Sequence, residues 1–192
     1  RRCGKGIRGI YDTEKEISVY SVDASDKVYD GTTKVKVSRV TLNGIWGQDV
    51  VQADTTDLYG DLPDKNAGTY TEITLPELKL VGDSANNYEL TQPDNPMKLN
   101  VSVSVQKAPK APNMPGASMK VDYTKTTVGA VTLPAGWKFD DADIDKKLDV
   151  DVPVAVTAKY ADEDAGNYEV ESVEIILTRK VCTHPTTKWN RR

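Results

Sequence analysis

The chain has 192 residues, 38% of them hydrophobic but with a single Phe, and a net charge of −4. At on the order of 100 to 200 residues per domain, this is one large domain or two small ones. No apolar run is long enough for a membrane span, and the Lys and Arg residues are scattered rather than gathered on one face, which argues against membrane insertion and against nucleic acid as a partner.

The chain begins at Arg1 rather than Met and is read as a fragment of a longer protein. Its two cysteines, Cys3 and Cys182, lie near opposite ends, so a disulfide would require the termini to meet, and no C-x-x-C spacing suggests zinc or redox chemistry.

In chain order, short β-branched segments bounded by turn residues predict strands at Lys34 to Val40, Leu75 to Leu80, Leu99 to Val105, Val152 to Val156 after Leu148 and Val150, and Val173 to Leu177. The clearest is Leu99, Val101, Val103 and Val105 alternating with Asn100, Ser102 and Ser104, a period of two that puts the apolar residues on one sheet face. Helical spacing is nearly absent, so at most a helical turn or two is expected. Between the strand groups, Lys107-Ala-Pro-Lys-Ala-Pro-Asn-Met-Pro-Gly116 holds three prolines and reads as a stiff linker.

These signals predict an all-β chain of two small tandem antiparallel domains. An Ig-like sandwich is preferred, and a β-grasp-like sheet with one short helix is the alternative. Residues 1–19 are a lead-in, 20–106 the first domain, 107–116 the linker, 117–180 the second domain and 181–192 a tail.

An internal echo fits two modules. Asn66-Ala-Gly-Thr-Tyr70 returns as Asp164-Ala-Gly-Asn-Tyr168, with Ala85-Asn-Asn-Tyr88 as a looser third copy. The motif reads as a turn in which Gly68 or Gly166 can take positive φ, followed by a Tyr entering a strand. Its spacing also matches a tyrosine corner, in which a phenol bonds back to upstream backbone. Tyr29-Asp30-Gly31-Thr32-Thr33 reads as another turn, since Asp-Gly is a turn dipeptide and the threonines suit a following strand.

The segment Asp26-Lys-Val-Tyr-Asp-Gly-Thr-Thr33 resembles the signature of the YDG domain, a module repeated in large bacterial surface proteins and adhesins. The resemblance continues in order through Leu42-Asn-Gly44, Asp49-Val50-Val51, Asn66-Ala-Gly68, Leu80-Val-Gly82 and Ala85-Asn-Asn-Tyr-Glu-Leu90, covering about residues 20 to 108. Residues 117 to 180 resemble a second module of surface proteins from gut-dwelling Gram-positive bacteria, through Val131-Thr-Leu-Pro-Ala-Gly-Trp-Lys-Phe139 and Tyr160 to Tyr168. The resemblance implies an extracellular, wall-associated location, a spacer or adhesive role and no active site.

Three features bear on chemistry. Asp141, Asp143 and Asp145 open with the spacing of an EF-hand loop, but Lys146 stands where Gly is needed and Val152 where the bidentate Glu belongs, leaving a weak calcium candidate beside a solvated acidic loop. The lone His184 sits in a Pro- and Thr-rich tail without a partner for a catalytic dyad, so no catalytic residue, cofactor or enzyme activity is expected. Trp46 and Trp137 each follow a turn; both are expected at the core or its edge, with Trp137 also a possible ligand contact for a host glycan or protein. The fragment is expected to be a monomer.

Overall fold

A computed structural model describes residues 14–91 and 96–182. The chain divides between Gln106 and Lys107 into two compact units, and both are built of strands. No α-helix occurs among the described residues, where a β-grasp-like unit would carry one. Three one-turn 3₁₀ segments, Ala85–Asn87, Val128–Ala130 and Ala165–Asn167, are the only helical elements there.

The first unit holds strands β1 (Lys15–Ala24), β2 (Lys27–Val28), β3 (Lys34–Asn43), β4 (Gln52–Ala53), β5 (Tyr59–Asp61), β6 (Gly68–Leu75), β7 (Leu80–Val81), β8 (Tyr88–Leu90) and β9 (Met97–Gln106). Seven form one sheet in the order β2-β9-β6-β5-β3-β1-β8, while β4 and β7 pair by themselves. Because β1 also lies alongside β9, the sheet curls around its own apolar face. Ile17, Val35, Val37, Ile73, Leu75, Val103 and Val105 fill that interior, each 5% exposed or less.

Two bulges explain why the alternation along β3 changes face. Val35 and Val37 point inward, but past Ser38 the half-buried residues are Val40 and Leu42, one position out of phase. Asp23 pairs with Arg39 and Ala24 with Val37, so Ser38 is the extra residue, and its hydroxyl donates to the Asp23 carbonyl at 3.0 Å. On β1, Tyr20 is skipped between the pairs Val19–Leu42 and Ser21–Thr41, which throws its ring into solvent.

Three expectations are corrected here. β1 begins at Lys15, inside the expected lead-in. The segment Leu75 to Leu80 is not one strand: β6 ends at Leu75, because Pro76 has no N–H to continue the ladder, and β7 resumes at Leu80. The sheets are also not purely antiparallel, since β1–β8 and β2–β9 run parallel. Each parallel pair joins strands far apart in sequence, where no tight hairpin dictates direction.

The second unit is a four-stranded sheet of β10 (Ser118–Val121), β11 (Trp137–Phe139), β12 (Pro153–Tyr160) and β13 (Ser172–Arg179), in the order β10-β13-β12-β11. β12 is antiparallel to both neighbours, and β10 runs parallel to β13. Val156, Ala158, Ile175 and Leu177 line its inner face, where Val128, Trp137, Leu148, Tyr160 and Ala111 join the core.

Ala111 belongs to the expected linker, so that reading also needs correction. Ala108 bridges to Tyr168, Ala111 is 4% exposed, and the Pro112 carbonyl accepts the Trp137 indole N–H at 2.8 Å. Three prolines do keep this segment out of a sheet ladder, but its small apolar side chains and free carbonyls dock it onto the second unit.

Candidate functional site

The Tyr29-Asp30-Gly31 turn joins β2 to β3. Gly31 sits at φ +77°, a left-handed conformation that a side chain disfavours. The Asp30 carboxylate accepts the Thr32 N–H at 2.9 Å, the Thr32 hydroxyl at 2.8 Å and the Lys27 ammonium at 2.6 Å. Lys27 also donates to the carbonyls of Thr32 at 2.8 Å and Lys34 at 2.9 Å. Burial pushes the Asp30 carboxyl up, but the bonds from Lys27 and Thr32 outweigh it and hold it below the usual range. Tyr29 is buried, and its backbone N–H donates to Gln106 at 2.8 Å.

The glycine–tyrosine motifs separate into two kinds of structure. The Tyr70 phenol donates to the Asn66 carbonyl at 2.6 Å, four residues upstream, which is the backward bond of a tyrosine corner. Removing that hydroxyl in Tyr70→Phe is expected to cost the first unit about 1 kcal/mol, read as a lower urea midpoint with unchanged slope.

Tyr88 and Tyr168 instead each follow a 3₁₀ turn with the same bonds. Asn87 N–H donates to Ser84 and Ala85 N–H to Gly82; Asn167 N–H donates to Asp164 and Ala165 N–H to Asp162. The structural counterpart of 164–168 is therefore 84–88, the copy that looked looser by sequence. Neither Gly68 nor Gly166 takes positive φ, since Gly68 opens β6 in extended backbone and Gly166 lies inside a 3₁₀ turn. At 64–66 the bend is fixed instead by the Asp64 carboxylate, which accepts the Asn66 N–H at 3.2 Å.

The aspartates of the second unit do not converge. Asp141 and Asp145 are exposed, whereas Asp143 is 8% exposed and committed, accepting the Thr157 N–H at 2.6 Å and pairing with Lys146 at 2.7 Å. Backbone bonds from Val128 to Lys146 and from Gly129 to Ile144 hold the run against 126–130, while most of its side chains stay exposed. The three carboxylates of the calcium candidate are thus not gathered at one point: Lys146 pairs with Asp143, and among the described residues no group of three His, Cys, Asp or Glu suited to a metal occurs.

Lys146 first, then the Thr157 N–H, hold the Asp143 carboxyl below its usual value, and a pair with Lys159 does the same for Asp140. A depressed folded-state value gives stability that is full above the unfolded carboxyl range near 4 and is lost as pH falls through the folded value. The urea midpoint of the second unit should therefore drop as pH falls from about 5 to about 2, and drop less in Asp143→Asn.

Trp46 and Trp137 differ sharply, and Trp189 lies outside the described residues. Trp137 is 5% exposed, with its ring tilted against Tyr160 at 5.5 Å and its indole N–H satisfied, so it serves the core. Trp46, expected inside, is 76% exposed, and Lys15 Nζ lies 4.9 Å from its ring centroid. Its backbone N–H donates to the Tyr88 hydroxyl at 3.1 Å, and that hydroxyl donates to Asp49 Oδ2 at 2.6 Å. The bond to the Asp49 carboxylate raises the Tyr88 phenol above its usual value. Gly44 and Gly47 stand on either side of Trp46 in the chain, both at positive φ.

A groove of about 680 Å³ on the first unit gathers the carboxylates of Glu14, Glu16, Glu77 and Glu89 around Leu80 and Leu90. His184 and Cys3 lie outside the described residues, and Cys182 is exposed. Among the described residues no helix is long and apolar enough to cross a membrane.

No curated protein and no solved structure matches the chain. Residues 13–96, spanning β1 to β8 of the first unit, match the YDG domain.

Proposed function

We propose that the chain is a non-catalytic structural module of a secreted bacterial cell-surface protein, in which β units in series hold other domains away from the wall. One observation carries this reading. The signature turn that the first unit shares with YDG domains spends its polar groups on itself: Asp30, Thr32 and Lys27 bond one another and the local backbone. A signature consumed in this way specifies a fold rather than a ligand. Two units with separate cores suit a series.

A second reading, adhesion to a host glycan or protein, is favoured by Trp46, which stands in water on the first unit. The test is to pass the purified protein over a glycan array and over immobilised extracellular-matrix proteins. The spacer reading expects no saturable binding to either; saturable binding replaces it with adhesion.

A further inference from the structure

An exposed apolar side chain is ordinary on a protein surface, and exposure alone assigns nothing to Trp46. What sets it apart is how firmly the loop that carries it is held. A closed circuit braces its loop: Trp46 N–H to the Tyr88 hydroxyl at 3.1 Å, Tyr88 to Asp49 Oδ2 at 2.6 Å, and Asp49 N–H back to the Trp46 carbonyl at 3.2 Å. Tyr88 is 6% exposed and Ile45 packs with it against Ile17 and Val51, so the circuit is rooted in the core. Gly44 and Gly47, at φ +98° and +62°, turn the chain on either side. Tyr20, equally exposed at 75%, has no such frame and sits on a bulge.

We infer that Trp46 is the stacking platform of a carbohydrate site that takes a neutral pyranoside, with Gln48 and Asp49 bonding its hydroxyls. The inference rests on the adhesive reading above. Lys15 occupies one face of the indole and fixes its orientation, which leaves the other face for the flat C–H side of a sugar ring. At the rim the exposed Gln48 brings an amide and Asp49 its second carboxylate oxygen, the first being taken by Tyr88. Donors and acceptors around one aromatic face match equatorial hydroxyls around one ring. A protein anchor would instead need a dry apolar rim to exclude water, and Gly47, Gln48 and Asp49 are exposed and polar. An acidic sugar is disfavoured by the Asp49 carboxylate at the rim. Because the loop is already held in place, binding forfeits little ordering entropy.

The experiment is a titration of the whole ¹⁵N-labelled chain with lactose, N-acetyllactosamine, mannobiose and cellotetraose at millimolar concentration, following the indole N–H signals. Trp46→Phe assigns the Trp46 signal, and Trp189→Phe separates the Trp137 signal from that of Trp189. At least one sugar is expected to shift it saturably and to leave the buried Trp137 signal in place. Trp46→Ala should weaken that binding about tenfold or more, with an unfolding midpoint within about 2 °C of the parent. Tyr88→Phe, which keeps the ring but opens the circuit, should weaken it about threefold. Tyr20→Ala should change nothing. If none of the sugars moves the Trp46 signal, the inference fails. If a sugar binds the chain and Trp46→Ala binds it equally well, the platform is wrong while adhesion stands. If neither the sugars nor the glycan array and matrix proteins are bound, both fall together.

Discussion

Trp137→Ala is expected to unfold the second unit far below the temperature at which the first unit melts. The substitution removes the largest side chain of that core, its contact with Tyr160 at 5.5 Å and its bond to the Pro112 carbonyl. Aromatic-to-alanine changes in a core cost about 3–5 kcal/mol, against a total of roughly 5 kcal/mol for a unit of this size. At about 4–8 °C per kcal/mol, the midpoint should fall by on the order of 15 °C or more. The 107–116 segment should come loose as well, so trypsin should cut after Lys107 and Lys110 faster than in the parent. Trp137→Phe keeps a ring in place and loses the indole bond, and should cost less. A loss below about 1 kcal/mol in Trp137→Ala would mean that the ring is not the keystone of this core.

The second large effect is expected at Gly82, in the Leu80-Val-Gly82 portion of the YDG pattern. Gly82 lies at φ +121°, and a Cβ there would stand 2.2 Å from the Val50 carbonyl oxygen. Backbone, unlike a flexible side-chain end, has no easy way to yield. Strain at such a φ costs about 1–3 kcal/mol, and displacing Val50 adds a similar amount. Gly31→Ala is the internal comparison: it also has positive φ, but nothing lies within 4 Å of its Cβ, so about 1–2 kcal/mol is expected. Urea unfolding of the two variants tests this directly. Equal losses would show that the close approach to Val50 is not what Gly82 is for.

What was legible in the sequence was local and periodic. Alternation at Leu99 to Val105 marked β9, and the Asp30-Gly31 dipeptide marked a turn, because both depend on neighbours one to three residues away. The candidate site was not legible, because Trp46 and Trp137 have nearly the same local setting, a turn with glycine beside the ring. Only distant partners separate them. Trp137 meets Tyr160 and Pro112, whereas Trp46 finds the Tyr88 hydroxyl at its backbone and solvent at its ring. The same limit hid the fate of 107–116, where proline torsions were read correctly but docking depended on residues 25 to 60 positions away. The echo misled for a subtler reason. Gly166 matches Gly68 in letter, yet the shared 3₁₀ bonding belongs to 84–88, where asparagine does the same backbone work.

The Lys27 ammonium has three hydrogens, and Asp30, Thr32 and Lys34 supply an acceptor for each. Its side chain keeps 13% of its exposure. To react with an acylating or methylating reagent, an amine must first give up a proton and turn its lone pair outward, and here that means dismantling the turn. Lys27 is accordingly the slow lysine of the first unit, and the rate at which it is labelled reports whether the YDG turn is closed.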